Sequence, residues 1–245
     1  MHEPSNPPFS SELETHPDIP SNVNRFQTLK DRPEYVVKEL SFEALKANQE
    51  LHNLGETEQK YMLRHAGHGQ TLLREFSEET GINIPQTQLL IGANEQGERV
   101  LYRVSEQVMG HDLKDVLAGD EVSDKQVSDL VGSIFEYYKS KFESKEDFCS
   151  DIAHLGQYRL GRTLSGTEVL LYLVDADPYY GRGEATVELE GEDEDDYTIE
   201  DMIANTRKLL GDIEAIRGRP LAPELKNTIQ EFIESTPSMN NYPFL

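Results

Sequence analysis

One helix constrains this chain more than any other feature. Ser123 followed by Gln126 is a capping box, which supplies partners for the first free N–H groups of a helix. Val127, Leu130, Val131, Ile134, Tyr138 and Phe142 then recur at 3.6-residue spacing, so one face must be buried along about five turns. Such a face needs other elements packed around it. Short segments rich in branched and aromatic residues flank it at Tyr35–Leu40, Thr87–Ala93, Arg99–Val108, Tyr158–Leu160 and Val169–Val174. Further helices follow it: one capped by Thr198 with Asp201, and one opened by Pro223 with Leu225, Ile229, Phe232 and Ile233 inward. Strands first and helices later describe an α+β protein without regular βαβ alternation.

The rest of the chain is partitioned by proline, glycine and charge. Residues 1–22 hold five of the twelve prolines and are expected to be a disordered tail. A helical stretch from Phe42 to about Arg64, a loop at Gly67 and Gly69, and a second helix over Thr71–Thr80 closed by Gly81 are expected. Pro33 is expected at the start of the Tyr35 strand, not within it. Gly110 is expected to end the Arg99 strand, and the apolar run Val169–Val174 to be buried on both faces. The acidic run Glu188–Asp196 is expected to be a solvated loop.

Charge and composition exclude several classes. The chain carries 23 Lys and Arg against 46 Asp and Glu, a net charge of −23. A nucleic-acid binder needs a basic face to neutralise phosphates, and anionic lipid repels an acidic surface. Cys149 is the single cysteine, so neither an internal disulfide nor a cysteine-based zinc site can form. No apolar run reaches the roughly 20 residues of a membrane span, and residues 1–22 lack the pattern of a signal peptide. A soluble, cytoplasmic protein is expected. No phosphate-binding P-loop and no strand-linked GxGxxG is present, and His65 and His68 lack an evident third metal ligand.

Two segments carry possible chemistry. Arg74-Glu75-Phe76-Ser77-Glu78-Glu79-Thr80-Gly81 is similar to the second half of the box of Nudix hydrolases. That resemblance implies metal-holding glutamates Glu75, Glu78 and Glu79 beside a diphosphate. The first half of the box has no counterpart, because Ala66 and Lys60 stand where the pattern has Glu and Gly.

A broader similarity runs through residues 26–180. Val36-Val37-Lys38 resembles the strand lysine of protein kinases. Ile84-Pro85-Gln86-Thr87, the strand pair after it and Ser105–Leu113 resemble the later strands and hinge. Tyr172-Leu173-Val174-Asp175-Ala176-Asp177-Pro178 resembles the strand that ends in the metal-binding aspartate. The order of these pieces is similar to that of small kinase-like proteins. The resemblance implies a two-lobed fold, with residues 23–110 as a β-rich N-lobe and 111–245 as a reduced helical C-lobe.

It also implies roles. Lys38 would reach the phosphates of ATP, held by a helix glutamate, with Glu50, Glu58 and Glu75 all eligible. Asp175, assisted by Asp177, would hold Mg²⁺, and Asp151 would orient the acceptor hydroxyl. No glycine-rich segment precedes Lys38, and Gly156 followed by Gln157 stands where the family has a metal-ligating Asn. The chain is therefore expected to be either an atypical ATP- and Mg²⁺-dependent phosphotransferase or a pseudokinase scaffold. A small-molecule and a protein acceptor are equally expected.

Overall fold

A computed structural model describes residues 13–15, 26–29, 31–40, 58–93, 99–150, 152–176, 180–181 and 198–236. The described chain is a mixed α+β protein with antiparallel sheets. It divides into two compact units. The first comprises residues 1–67, 85–109 and 162–167; the second comprises 68–84, 110–161 and 168–245.

The first unit is built on a five-stranded sheet. Its strands are β1 (Leu13–Thr15), β2 (Phe26–Leu29), β3 (Arg32–Leu40), β4 (Thr87–Ala93) and β5 (Arg99–Glu106). Their spatial order is β1–β2–β3–β5–β4, all antiparallel. Two expectations change here. Residues 13–15 pair with β2 and do not belong to a disordered tail. Pro33 lies inside β3, between Arg32 and Val36, the stretch over which the register with β2 shifts at Thr28/Leu29.

Register decides which residues share a face. Val37 lies opposite Val104, and Glu39 opposite Tyr102. Val37, Tyr102 and Val104 are buried together, with Leu29, Tyr35 and Val100 against them. The other face carries Lys38 opposite Arg103 and Val36 opposite Ser105.

Chain segments continue from one unit into the other within single elements. Helix α1 (Glu58–Thr80) is continuous through Gly67 and Gly69, where a loop was expected. Ala66, Gly69, Leu73 and Phe76 are buried at helical spacing, so Gly69 is a small member of an apolar stripe. Burial along that stripe offsets the roughly 1 kcal/mol that each helical glycine costs relative to alanine. The expected helical segment over 42–57 lies outside the described residues. Gly81 follows α1 at φ 71°, as expected of a terminating glycine.

The second unit contains β6 (Val108–Asp112, entering from the first unit), α2 (Leu113–Val116) and α3 (Asp124–Ser144). After these come β7 (Phe148–Cys149), a 3₁₀ turn (Leu155–Gln157), β8 (Tyr158–Thr163), β9 (Leu170–Leu173) and β10 (Tyr180–Gly181). Helices α4 (Ile199–Arg217) and α5 (Pro223–Ser235) close the described chain. Both capping boxes form. Ser123 Oγ accepts from Gln126 N, and Gln126 Oε1 accepts from Ser123 N; Thr198 and Asp201 repeat the arrangement. The predicted face of α3 is buried, joined by Leu113, Leu210, Ile213, Ile229 and Ile233 in one core.

Gly110 does not end a strand. It sits within β6, where the backbone passes so close to β8 that a Cβ on Gly110 would lie 2.1 Å from the Leu160 carbonyl oxygen. The run Val169–Val174 is also less buried than expected. Tyr172 and Leu173 are buried, whereas Val169, ahead of β9, is exposed. The acidic run 188–196 lies outside the described residues.

Candidate functional site

The strand lysine stands where the sequence placed it. Lys38 is in the middle of β3 and is 5% exposed. Its opposite residue on β5, Arg103, is 4% exposed. Residues directly opposite in an antiparallel pair lie on one face with Cβ atoms about 4.5–5.5 Å apart. Two residues along the same face, Ser105 is buried and its hydroxyl lies 3.0 Å from that of Thr87. Thr28, opposite Val36, is buried there as well. The sheet thus has an apolar face around Val37 and Tyr102 and an opposite, mixed face on which Lys38, Arg103, Thr28 and Ser105 are buried along with Leu101. Lys38 and Arg103 each have further polar or electrostatic contacts within the chain.

Asp175 belongs to the second unit, two residues past β9. Its approach is fixed by backbone hydrogen bonds. Leu173 N donates to Asn83 O at 2.9 Å, and Val174 N donates to Gln157 O at 2.8 Å. Asn83 Nδ2 donates in turn to Leu171 O at 3.2 Å. Asp175 itself is half-buried and engaged within the chain, and Ala176 after it is buried. Asp177 lies outside the described residues.

Asp151 also lies outside them, but both of its neighbours are held. Tyr137 Oη accepts from Cys149 N at 3.0 Å, Tyr138 Oη donates to Ser150 O at 3.5 Å, and Tyr158 Oη donates to Ile152 O at 2.6 Å. Three buried tyrosines therefore grip the loop by its backbone on either side of position 151. Each satisfies its own hydroxyl in doing so, as a buried phenol must. Phe76 and Phe148 pack edge-on against this aromatic group. Burial pushes the Tyr137 phenol well above its ordinary range; the adjacent Cys149 acts in the same direction, and the Cys149 N–H bond opposes them. Gln157, where the kinase pattern approaches an Asn, is buried and accepts from His154 N at 3.2 Å through Oε1.

The glutamates of α1 divide. Glu75 and Glu78 are exposed, whereas Glu79 Oε1 accepts from Lys141 Nζ at 3.0 Å. Lys141, 6% exposed, also donates to Glu146 Oε2 at 3.2 Å and lies over the Tyr137 ring. Burial works against the Lys141 charge, but its hydrogen bonds to the Glu79 and Glu146 carboxylates outweigh it and hold the ammonium above its ordinary value. Glu75 lines a surface depression of about 490 Å³ with His68, Lys141 and Asp147, all in the second unit. There His68 Nε2 and Asp147 Oδ2 are 2.9 Å apart. The other expected lysine partners are not described: Glu50 is outside the described residues, and so is the side chain of Glu58. Among the described residues, no group of three or more His, Cys, Asp and Glu is placed to hold a metal ion.

Sequence reasoning missed Arg103, Tyr137 and Lys141. Arg103 was legible only as one residue of a strand, since its neighbour across the ladder is 65 positions away in the chain. Tyr137 and Lys141 sit beside the apolar stripe of α3, where a polar tip is ordinarily solvated. The chain matches no protein-family model, and no curated protein matches it significantly. Among the described residues, no helix is long and apolar enough to cross a membrane.

Proposed function

We propose that the chain is a kinase-like protein that binds ATP with Mg²⁺ and transfers the γ-phosphoryl group to a hydroxyl acceptor. The observation that carries this reading is the burial of Lys38 in the middle of a strand of an antiparallel sheet. Lys38 has contacts within the chain, and a strand ammonium of this kind is also suited to direct phosphates. In this reading Lys38 directs the phosphates, and Asp175 and Asp177 hold Mg²⁺. A cation that keeps most of its waters needs only one or two carboxylates, so a single strand-end aspartate with a near neighbour fits the donor set. When bound, the metal offsets charge developing on the transferred oxygens. Asp151 orients the acceptor hydroxyl. The loop around it is fixed at both neighbouring residues, which supports a positioning role. Glu50, Glu58 and Glu75 are the candidate glutamate partners of Lys38 in this reading.

A diphosphate-hydrolase reading of Glu75, Glu78 and Glu79 draws less support, since Glu79 is committed to Lys141. The test is thermal unfolding of the full chain with ATP and Mg²⁺. A ligand at 100 times its Kd stabilises by about 2.7 kcal/mol. That gain is expected in the wild type and is expected to vanish in both Lys38→Ala and Asp175→Ala. No gain with any nucleotide would leave a non-catalytic scaffold instead.

A further inference from the structure

The two edges of the first unit's sheet are built differently. At one end, β1 is three residues long and has Glu14 at its centre. Shortness and charge both keep an edge strand from pairing with another chain. At the other end, β4 has neither protection. It runs seven residues, Thr-Gln-Leu-Leu-Ile-Gly-Ala, with no charged residue, no proline and an unbroken register against β5. Among the described residues, no strand pairs with its other side.

The ladder fixes which backbone groups face that side. Glu106 N donates to Gln86 O at 2.9 Å, one step beyond the Thr87–Ser105 pair. Hydrogen-bonded and non-hydrogen-bonded pairs alternate along an antiparallel ladder. Gln88, Leu90 and Gly92 therefore direct their N–H and C=O groups to β5, and Thr87, Leu89 and Ile91 direct theirs outward. The side chains there are apolar and open: Leu90 is 38% and Ile91 42% exposed.

Charge and register select the occupant. The first unit holds 14 Asp and Glu against 10 Lys and Arg, a net of −4 within the chain's −23. A strongly basic peptide finds little to attract it there, whereas two copies can meet through an uncharged strand of a nearly neutral unit. The strand is also self-complementary. Antiparallel pairing of two copies about a two-fold axis at Leu90 sets Leu90 against Leu90 and, twice, Leu89 against Ile91. Every large apolar residue of β4 then meets another. We infer that β4 is a dimerisation edge, at which a second copy of this chain continues the five-stranded sheet across a two-fold axis. The inference is independent of the kinase-like reading. A single strand pair is a small contact, so association is weak and concentration-dependent. The remaining negative charge of each copy opposes it, and salt strengthens it by screening.

Analytical ultracentrifugation of the full chain over a concentration series tests this. The wild type is expected to pass from monomer to dimer as concentration rises, and to do so sooner at high salt than at low. Leu90→Lys sets two ammonium groups directly opposite one another, and should weaken association about tenfold without lowering the melting temperature. Disulfide capture reads the register with the edge otherwise intact. Leu90→Cys should form a covalent dimer in oxidising buffer, because non-hydrogen-bonded neighbours bring their side chains closest. Gln88→Cys, which the same register sets against Gly92, should not. Cys149 is buried and does not compete. A wild type that stays monomeric at every concentration and salt would overturn the inference and leave the edge to a strand from a different protein. Dimerisation that ignores Leu90→Lys, that weakens with salt, or that cross-links Gln88→Cys as fast as Leu90→Cys would overturn it as well.

Discussion

Two buried lysines invite comparison. Lys141 in the second unit lies between Glu79 and Glu146 and against the Tyr137 ring. Lys38 in the first unit lies opposite another cation. Both are about equally withdrawn from water, so burial alone does not separate them. The sign of the neighbouring charge does. A cation held by two carboxylates contributes to the folded state of its own chain, whereas a cation across from a cation gains nothing from that cross-strand pairing and relies on its other contacts.

The contrast extends to the surroundings of each. In the second unit, buried polar atoms close on one another through tyrosine hydroxyls and capped backbone, so changes there should register as lost stability. The largest loss is expected at Gly110. Its Cβ would meet the Leu160 carbonyl oxygen, a backbone atom that cannot swing aside. Gly110→Ala should therefore lower the unfolding free energy by at least about 3 kcal/mol in urea titration. A loss below about 1 kcal/mol would mean that β6 and β8 separate easily, and that the second unit is less rigid than its hydrogen bonds imply.

Lys141→Met should come next. Breaking a fully buried pair costs about 3–5 kcal/mol, but Glu79 and Glu146 are 43% and 63% exposed, and water screens the charges left behind. A loss of about 1–3 kcal/mol is expected in the same titration, with no change in phosphate binding.

Tyr137→Phe should show itself mainly at high pH. The folded phenol is held neutral above its ordinary value of 10.0. Above about pH 10 the unfolded chain releases a proton that the folded chain keeps, so stability falls as pH rises, by up to about 1.4 kcal/mol per pH unit. Below that pH the contribution is fully present. The Phe variant should lose this tyrosine's part of the alkaline slope, seen by comparing melting temperatures at pH 8 and pH 11. An identical slope in both proteins would place the alkaline sensitivity elsewhere.

Lys38→Met should have the smallest effect on the fold. Relief of repulsion with Arg103 opposes the loss of the lysine's own contacts, and the net change should stay within about 1 kcal/mol. Phosphate binding, by contrast, should drop at least tenfold. If Lys38→Met destabilises the chain as much as Lys141→Met and leaves binding intact, the distinction between the two lysines is lost.

Local chemistry was readable from the sequence wherever the partner is near in the chain. The capping boxes at Ser123 and Thr198 need only a residue three positions on. The strand carrying Lys38 and the hairpin before Asp175 follow from short runs of branched and apolar side chains. Gly69 misled because a glycine breaks a helix by propensity, while its place in the buried stripe was set by packing. Arg103 stayed hidden because adjacency across a ladder is fixed by register, which no short window contains. The tyrosine grip on the loop around position 151 escaped for a related reason. Tyr137 and Tyr138 are helix residues whose hydroxyl partners lie on a different element.

Cys149 is completely buried, and its amide is tied to the Tyr137 hydroxyl. As the sole thiol of the chain, it reacts with a thiol reagent only when the segment that holds it opens from the core. The labelling rate in native buffer therefore counts those openings directly, and a ligand that steadies the segment will slow the label without touching the sulfur.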